Sequence, residues 1–214
     1  MARRKASVEV TSLMATVIGP PDASDELAVR LLDAGAELLT EYGLRRWSMD
    51  DVAERAGVGR TSVYRKFLSR DDLVHAVLAR ELRQVFAAII DTAARYDSVE
   101  DKIVEGALVA LDAVDGSLVS ALLTSDPTTF LPFLTTEAAP LLALGRELLV
   151  SSAIAAGSPI EPQLAAELAE LVARLGISFI VTRQTVFPVD DPELARASLR
   201  RVLSPVLAPF ELPG

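Results

Sequence analysis

The sequence predicts an all-α protein: an N-terminal three-helix helix-turn-helix domain followed by a larger C-terminal helical bundle. Three observations carry this expectation. The chain is 50 % apolar but only 5 % aromatic, and no run shows the period-two alternation of a half-buried strand. Apolar residues recur instead at spacings of three and four, as in Leu27, Leu31, Ala34, Leu38 and Tyr42, which places them along one side of a helix. Ser48, Gly57 and Gly59 stand where a tight turn between two short helices needs a cap and freedom of backbone. With 214 residues, the chain is long enough to bury a sizeable core.

Composition removes several classes of function. Cysteine is absent, which excludes disulfides and thiolate zinc sites and fits a reducing compartment. The basic start at Arg3, Arg4 and Lys5 is followed by Glu9, Thr11, Ser12 and Thr16 rather than by an apolar run, so no export signal is expected. The longest uncharged stretch, Leu148 to Ile160, contains Ser151, Ser152, Gly157 and Pro159 and falls short of the roughly 20 apolar residues of a membrane span. A cytoplasmic protein without a membrane partner is expected. His75 is the only histidine, so a nucleophile–base pair has almost nothing to use and a metal site lacks ligands. Neither enzymatic activity nor a cofactor is expected.

Charge is unevenly divided. From Gly43 to Arg70 seven basic residues face three acidic ones, a net +4, whereas from Gln84 onward eight basic face seventeen acidic, a net -9. A locally basic module on an acidic body suggests one face made for a polyanion and a remainder repelled by it.

Taken in order, residues 1–24 read as a flexible arm ending in GPPDAS, whose basic residues either touch nucleic acid or are simply solvated. A helix over 25–42 stops at Gly43. Ser48 caps a second over 49–56, Gly57 closes it, and a third spans about 60–67. Ser69, with Asp71 and Asp72 in the first turn, starts a fourth that reaches about residue 95. Further helices are expected near 98–114, 117–123, a proline-interrupted stretch over 127–156, then 162–187 and 191–207. The helix-turn-helix unit is expected over 25–70 and the larger helical part over 71–214.

On the third helix, Val63 and Phe67 join Val58 as the buried side, while Arg60, Thr61, Ser62, Tyr64, Arg65 and Lys66 surround the rest. Such a helix fits the roughly 12 Å major groove when its inner face is held, and its first residues then meet base edges. Arg60 suits guanine, Thr61 and Ser62 suit several bases, and Tyr64, Lys66 and Arg70 suit phosphates. Ser48 belongs to the same site, and Arg45 and Arg46, just before the second helix, either contact a phosphate or are solvated.

These residues also resemble a known family. SMDDVAERAGVGRTSVYRKFLSRDDL, Ser48 to Leu73, is similar to the signature of the tetracycline-repressor-like (TetR) regulators: a capping serine, a second helix like VAERAGVG, a reading helix like VYRKF and a helix start like SRDDL. The resemblance is specific over about 45 residues and implies an all-helical homodimer that binds a palindromic operator and a small inducer. Two departures are Gly59, where the family often has serine, and Arg70 in place of lysine.

An inducer pocket in the larger part is expected to be mainly apolar. Phe130, Phe133, Phe179 and Phe187 either line it or fill the core, with Ser178, Thr182, Arg183 or Gln184 as polar anchors, suggesting a hydrophobic or amphipathic ligand. One short reading helix recognises too few base pairs alone, so a symmetric homodimer on double-stranded DNA is expected. Leu164, Leu168, Leu171, Val172 and Leu175, with Leu194, Leu199, Val202 and Val206, form apolar stripes for that interface. The competing reading is a small-molecule- or protein-binding helical dimer whose helix-turn-helix only packs.

Overall fold

In the computed structural model, residues 25–44, 46–114, 117–155 and 161–207 are described. The expected arm at 1–24 and Arg45 lie outside them. Ten helices occur among the described residues: α1 (Glu26–Tyr42), α2 (Met49–Arg55), α3 (Arg60–Lys66), α4 (Arg70–Ala93), α5 (Val99–Asp112), α6 (Leu118–Ser125), α7 (Pro127–Leu134), α8 (Ala139–Ala155), α9 (Pro162–Val181) and α10 (Pro192–Leu207). No strand is present among the described residues, and none of their helices is long and apolar enough to cross a membrane.

The helix starts follow from local chemistry. Asp25 accepts from the Ala28 N–H at 3.0 Å, Ser98 from Asp101 at 3.0 Å, and Ser117 from Ser120 at 3.3 Å. Each satisfies one of the first-turn donors that a helix leaves unpaired. Glu161 and Asp191 do the same for α9 and α10. Two ends differ from the sequence expectation. The stretch over 127–156 divides at Thr135–Ala138 into α7 and α8, with Pro132 inside α7. Helix α9 stops at Val181 rather than at 187: Pro188 disfavours helical backbone at the residue before it, and the Phe187 ring meets Phe179 edge-on at 5.5 Å.

The described residues form two compact units, those within 25–83 with those within 117–140, and those within 84–114 with those within 141–207. In the first, α1 packs against α2 and α6, α2 against α3, and α6 against α7. Leu31, Leu39, Val52, Val63 and Leu73 are fully buried there. Helices α1 and α4 approach so closely that a Cβ on Gly35 would stand 3.0 Å from a Val77 methyl, and Arg80 of α4 fixes the pair through Asp33 at 2.6 Å.

In the second unit α5 packs against α9 and α10. A Cβ on Gly106 would lie 3.3 Å from Ile89, and one on Gly145 3.3 Å from the Phe86 ring, so the second half of α4 runs close to both α5 and α8. The buried Glu105 receives two bonds from Arg196, at 2.6 and 3.0 Å. This arrangement compensates a carboxylate that would otherwise be costly to withdraw from water. Glu105, followed by Glu193, holds the Arg196 proton more tightly than in an ordinary arginine. Arg146 and Arg174 converge on Glu170 and tie α8 to α9.

Candidate nucleic-acid interface

The candidate interface begins with the caps of α2. The Asp51 N–H donates to the Ser48 hydroxyl at 3.3 Å, and the Ser48 N–H donates to the Asp51 carboxylate at 2.7 Å, a reciprocal capping box. The Ser48 N–H, followed by the Ser48 hydroxyl, which also donates to this carboxylate, holds the Asp51 carboxyl below the usual aspartate value. Trp47, just before the cap, and Val52, in the following turn, are both buried and occupy the positions of a hydrophobic staple. The Trp47 indole N–H donates to the Gly43 carbonyl at 2.9 Å.

The turn between α2 and α3 is set by Gly57 at φ 62, a left-handed conformation that side-chain-bearing residues adopt at a cost. Arg30 of α1 secures the turn from outside by donating to the carbonyls of Ala56 and Gly57. Gly59 then caps α3 in extended backbone without a side-chain bond. A second reciprocal box starts α4: the Asp72 N–H donates to the Ser69 hydroxyl at 3.1 Å and the Ser69 N–H to Asp72 at 3.0 Å.

Helix α3 buries Val63 completely, while Val58 and Phe67 are half-buried. Arg60, Thr61, Tyr64 and Arg65 are exposed and Ser62 is half-buried. Arg60 lies 2.9 Å from Asp50 of α2, and its guanidinium stands 5.6 Å from the Tyr64 ring centre. Both partners of that ion pair are more than half exposed, so the pair contributes little and can be exchanged for another anion.

The remaining basic residues divide by position. Arg46 is exposed before α2, and Arg45 lies outside the described residues. Lys66 pairs with Asp25 at 2.7 Å, closing the end of α3 onto the start of α1. Arg70 is turned inward: its guanidinium lies 4.3 Å from the Trp47 ring centre and donates to the Leu44 carbonyl. Burial pushes its pKa below the ordinary arginine value, with Asp71 acting in the opposite direction. Its charge is thus engaged inside the domain, whereas Arg60 and Arg65 present theirs to solvent.

Sequence reasoning missed Trp47, Arg30, Asp25 and Asp50 as parts of this site. Trp47 carried a readable signal, a large apolar residue directly before a capping serine. The pairings of the other three, Arg30 with the α2–α3 turn, Asp25 with Lys66 and Asp50 with Arg60, join different elements, and no local pattern marks them.

Of the residues expected at a ligand pocket, Phe130 and Phe133 lie in the first unit with ring centres 6.2 Å apart. Ser178, Phe179, Thr182 and Arg183 lie in the second unit. Ser178 and Phe179 belong to α9, while Thr182 and Arg183 follow its end. Ser178, Thr182 and Arg183 are exposed, and Phe179 is half-buried against Phe187. His75 is half-buried on α4, and no cluster able to hold a metal ion occurs among the described residues.

A short helix buried on its inner side, basic on its outer side and set by a glycine turn against a capped neighbour defines a helix-turn-helix DNA-binding protein. Residues 31–77 match the family model described as bacterial regulatory proteins, tetR family, and residues 99–205 match that described as Bacterial Tetracyclin repressor, C-terminal domain. The chain belongs to the TetR family of transcriptional regulators.

Over 136 residues it is 29 % identical to the HTH-type transcriptional repressor KstR2 of Rhodococcus jostii, covering 55 % of this chain and 65 % of that one. Over 65 residues it is 34 % identical to the HTH-type transcriptional activator FasR of Mycolicibacterium smegmatis, covering 30 % of each. The chain therefore spans less than two thirds of the length of either relative. The crystal structure of the TetR family repressor AlkX from Dietzia sp., implicated in biodegradation of n-alkanes, matches with a TM-score of 0.65 at 27 % identity, covering 86 % of this chain and 98 % of that one.

Proposed function

We propose that the protein is a sequence-specific repressor that binds a palindromic operator as a homodimer and is released by a small, mainly apolar ligand. The observation that carries the DNA-reading part is the exposed face of α3, where Arg60, Thr61, Tyr64 and Arg65 surround a helix anchored by the buried Val63. Arg60, Thr61 and Ser62 meet base edges, Arg60 leaving Asp50 for a guanine. Tyr64, Arg65 and Arg46 flank the groove and meet phosphates. Ser48, Lys66 and Arg70 set the positions of α2, α3 and α4 through their bonds to Asp51, Asp25 and Leu44.

DNA reading is assigned to 25–70, and ligand binding and dimerisation to 71–214. The dimer reading is supported by Leu171 and Leu175 on α9 and Leu194 and Val202 on α10, each about half exposed or more. Such apolar stripes gain most when covered by a second copy. The ligand reading is supported by the implication of AlkX in n-alkane biodegradation and by the apolar character of Phe130, Phe133 and Phe179. A ligand that favours the non-binding dimer geometry by about 1–3 kcal/mol would lower operator occupancy roughly 5–150-fold.

Selection of bound DNA from a random pool tests this reading. Recovery of an inverted repeat, with binding lost in Arg60→Ala combined with Tyr64→Ala while the dimer persists, is the expected result. Failure to enrich any duplex would defeat it and favour a helix-turn-helix that only packs.

A further inference from the structure

Within the first unit, a cavity of about 230 Å³ is bordered by the α1–α2 connection, the first turns of α4 and helix α7. Leu44, Val74, Phe130 and Phe133 make its wall mainly apolar, and Arg70 and His75 supply polar groups. It is smaller than the roughly 300–1,000 Å³ of ordinary drug-sized sites, which excludes a peptide helix and suits a short-chain molecule.

Arg70 makes this cavity more than a packing gap. The same guanidinium that lies over Trp47 and donates to the Leu44 carbonyl carries a buried Nε–H with no acceptor among the described residues. Buried donors are ordinarily matched, and an acceptor brought in by a ligand would match this one. Asp71 also borders the cavity and opposes an anion, but its side chain is 73 % exposed, so solvent screens its charge more than that of the withdrawn Arg70.

We propose that this cavity binds a small amphiphile, an apolar body ending in a carboxylate, with the carboxylate held by Arg70 and His75 and Arg70 drawn away from Leu44 and Trp47. The inference rests on the reading of the chain as a ligand-responsive regulator and deepens it. The physical consequence is direct: Arg70 braces the connection that carries the Trp47 staple and the α2 cap. An occupant that engages this guanidinium loosens the mounting of the helix-turn-helix at its root.

The test titrates the full chain with octanoate, and with 1-octanol as the uncharged control of equal tail length, by calorimetry. The emission of Trp47, the only tryptophan, reports on the Arg70 contact. The expected result is saturable octanoate binding with a change in Trp47 emission, and binding about tenfold or more weaker for octanol. Phe133→Trp, which fills the cavity, and His75→Phe, which removes a donor at nearly constant size, should each weaken octanoate binding in calorimetry. The second variant keeps the test decisive if the first fails to fold. Absence of saturable binding, equal affinity for octanol, unchanged affinity in a folded variant, or binding without a response from Trp47 would each overturn the proposal. Operator affinity followed in parallel separates the two levels. Octanoate-driven release that survives both substitutions removes this site and keeps ligand response, whereas cavity binding without effect on the operator keeps the site and removes ligand response.

Discussion

Gly57 and Gly59 stand two positions apart, yet replacing them should move stability in opposite directions. Gly57 has φ 62, and a residue with a Cβ in that region costs about 1–2 kcal/mol. The new Cβ would also lie 3.3 Å from Arg30 Nη2, the atom that donates to the carbonyls of Ala56 and Gly57. Easing that contact weakens a bond worth about 1 kcal/mol, and the stiffer unfolded chain returns about 0.4–1 kcal/mol. Gly57→Ala is therefore expected to destabilise the first unit by about 1–2 kcal/mol.

Gly59 has φ -71 and caps α3 without a side-chain bond, and a Cβ there meets nothing within 4 Å. Gly59→Ser adds a capping hydroxyl and restricts the unfolded chain, a gain of about 0.5 kcal/mol. The two variants should thus differ by about 2 kcal/mol, up to about thirtyfold in the unfolding constant. Urea denaturation followed by the emission of Trp47, buried in the same unit, measures both. A neutral Gly57→Ala, or shifts of the same sign in both variants, would refute the reasoning.

Other outcomes follow from the same contacts. Arg60→Ala should cost about 1–3 kcal/mol of operator affinity and relax base preference at one position of each half-site, read by competition between operator variants. Arg196→Met leaves Glu105 buried without its main partner and should lower the stability of the second unit by about 2–3 kcal/mol, read from calorimetric melting. Glu105→Gln should cost less, because a neutral amide needs less compensation. Asp25 is held below its ordinary value of 3.8, first by the Lys66 bond and then by the Ala28 N–H. A carboxyl lowered on folding stabilises above its unfolded value, and that contribution disappears as pH falls through the folded one. The stability difference between the natural protein and Asp25→Asn should accordingly shrink on acidification through that range. A difference unchanged into strong acid would remove the pair from the account.

The boundaries along the first four helix starts were legible in the sequence because they are local events. Asp25, Ser48 and Ser69 bond to N–H groups three residues on, and Gly43 and Gly57 take the positive φ that ends a helix. The outer face of α3 was legible for the same reason: one buried valine at its centre leaves little choice of which side faces out. The helices after residue 126 were less so. Prolines mark possible breaks without saying which ones hold, and no local signal marks the end of α9 at Val181.

Composition and spacing by themselves determined an all-helical chain, a short basic helix on an acidic body, and the turns of the first 70 residues, where the caps and glycines act on residues within a few positions of one another. Only the tertiary structure decided what individual charges do. Lys66 meets Asp25 across 41 positions and Arg70 meets Leu44 across 26, while Arg60 and Arg65 stay on the surface. Whether an arginine faces DNA or braces a core is set by which backbone carbonyl or ring arrives beside it, and that partner comes from a segment whose approach no local pattern encodes.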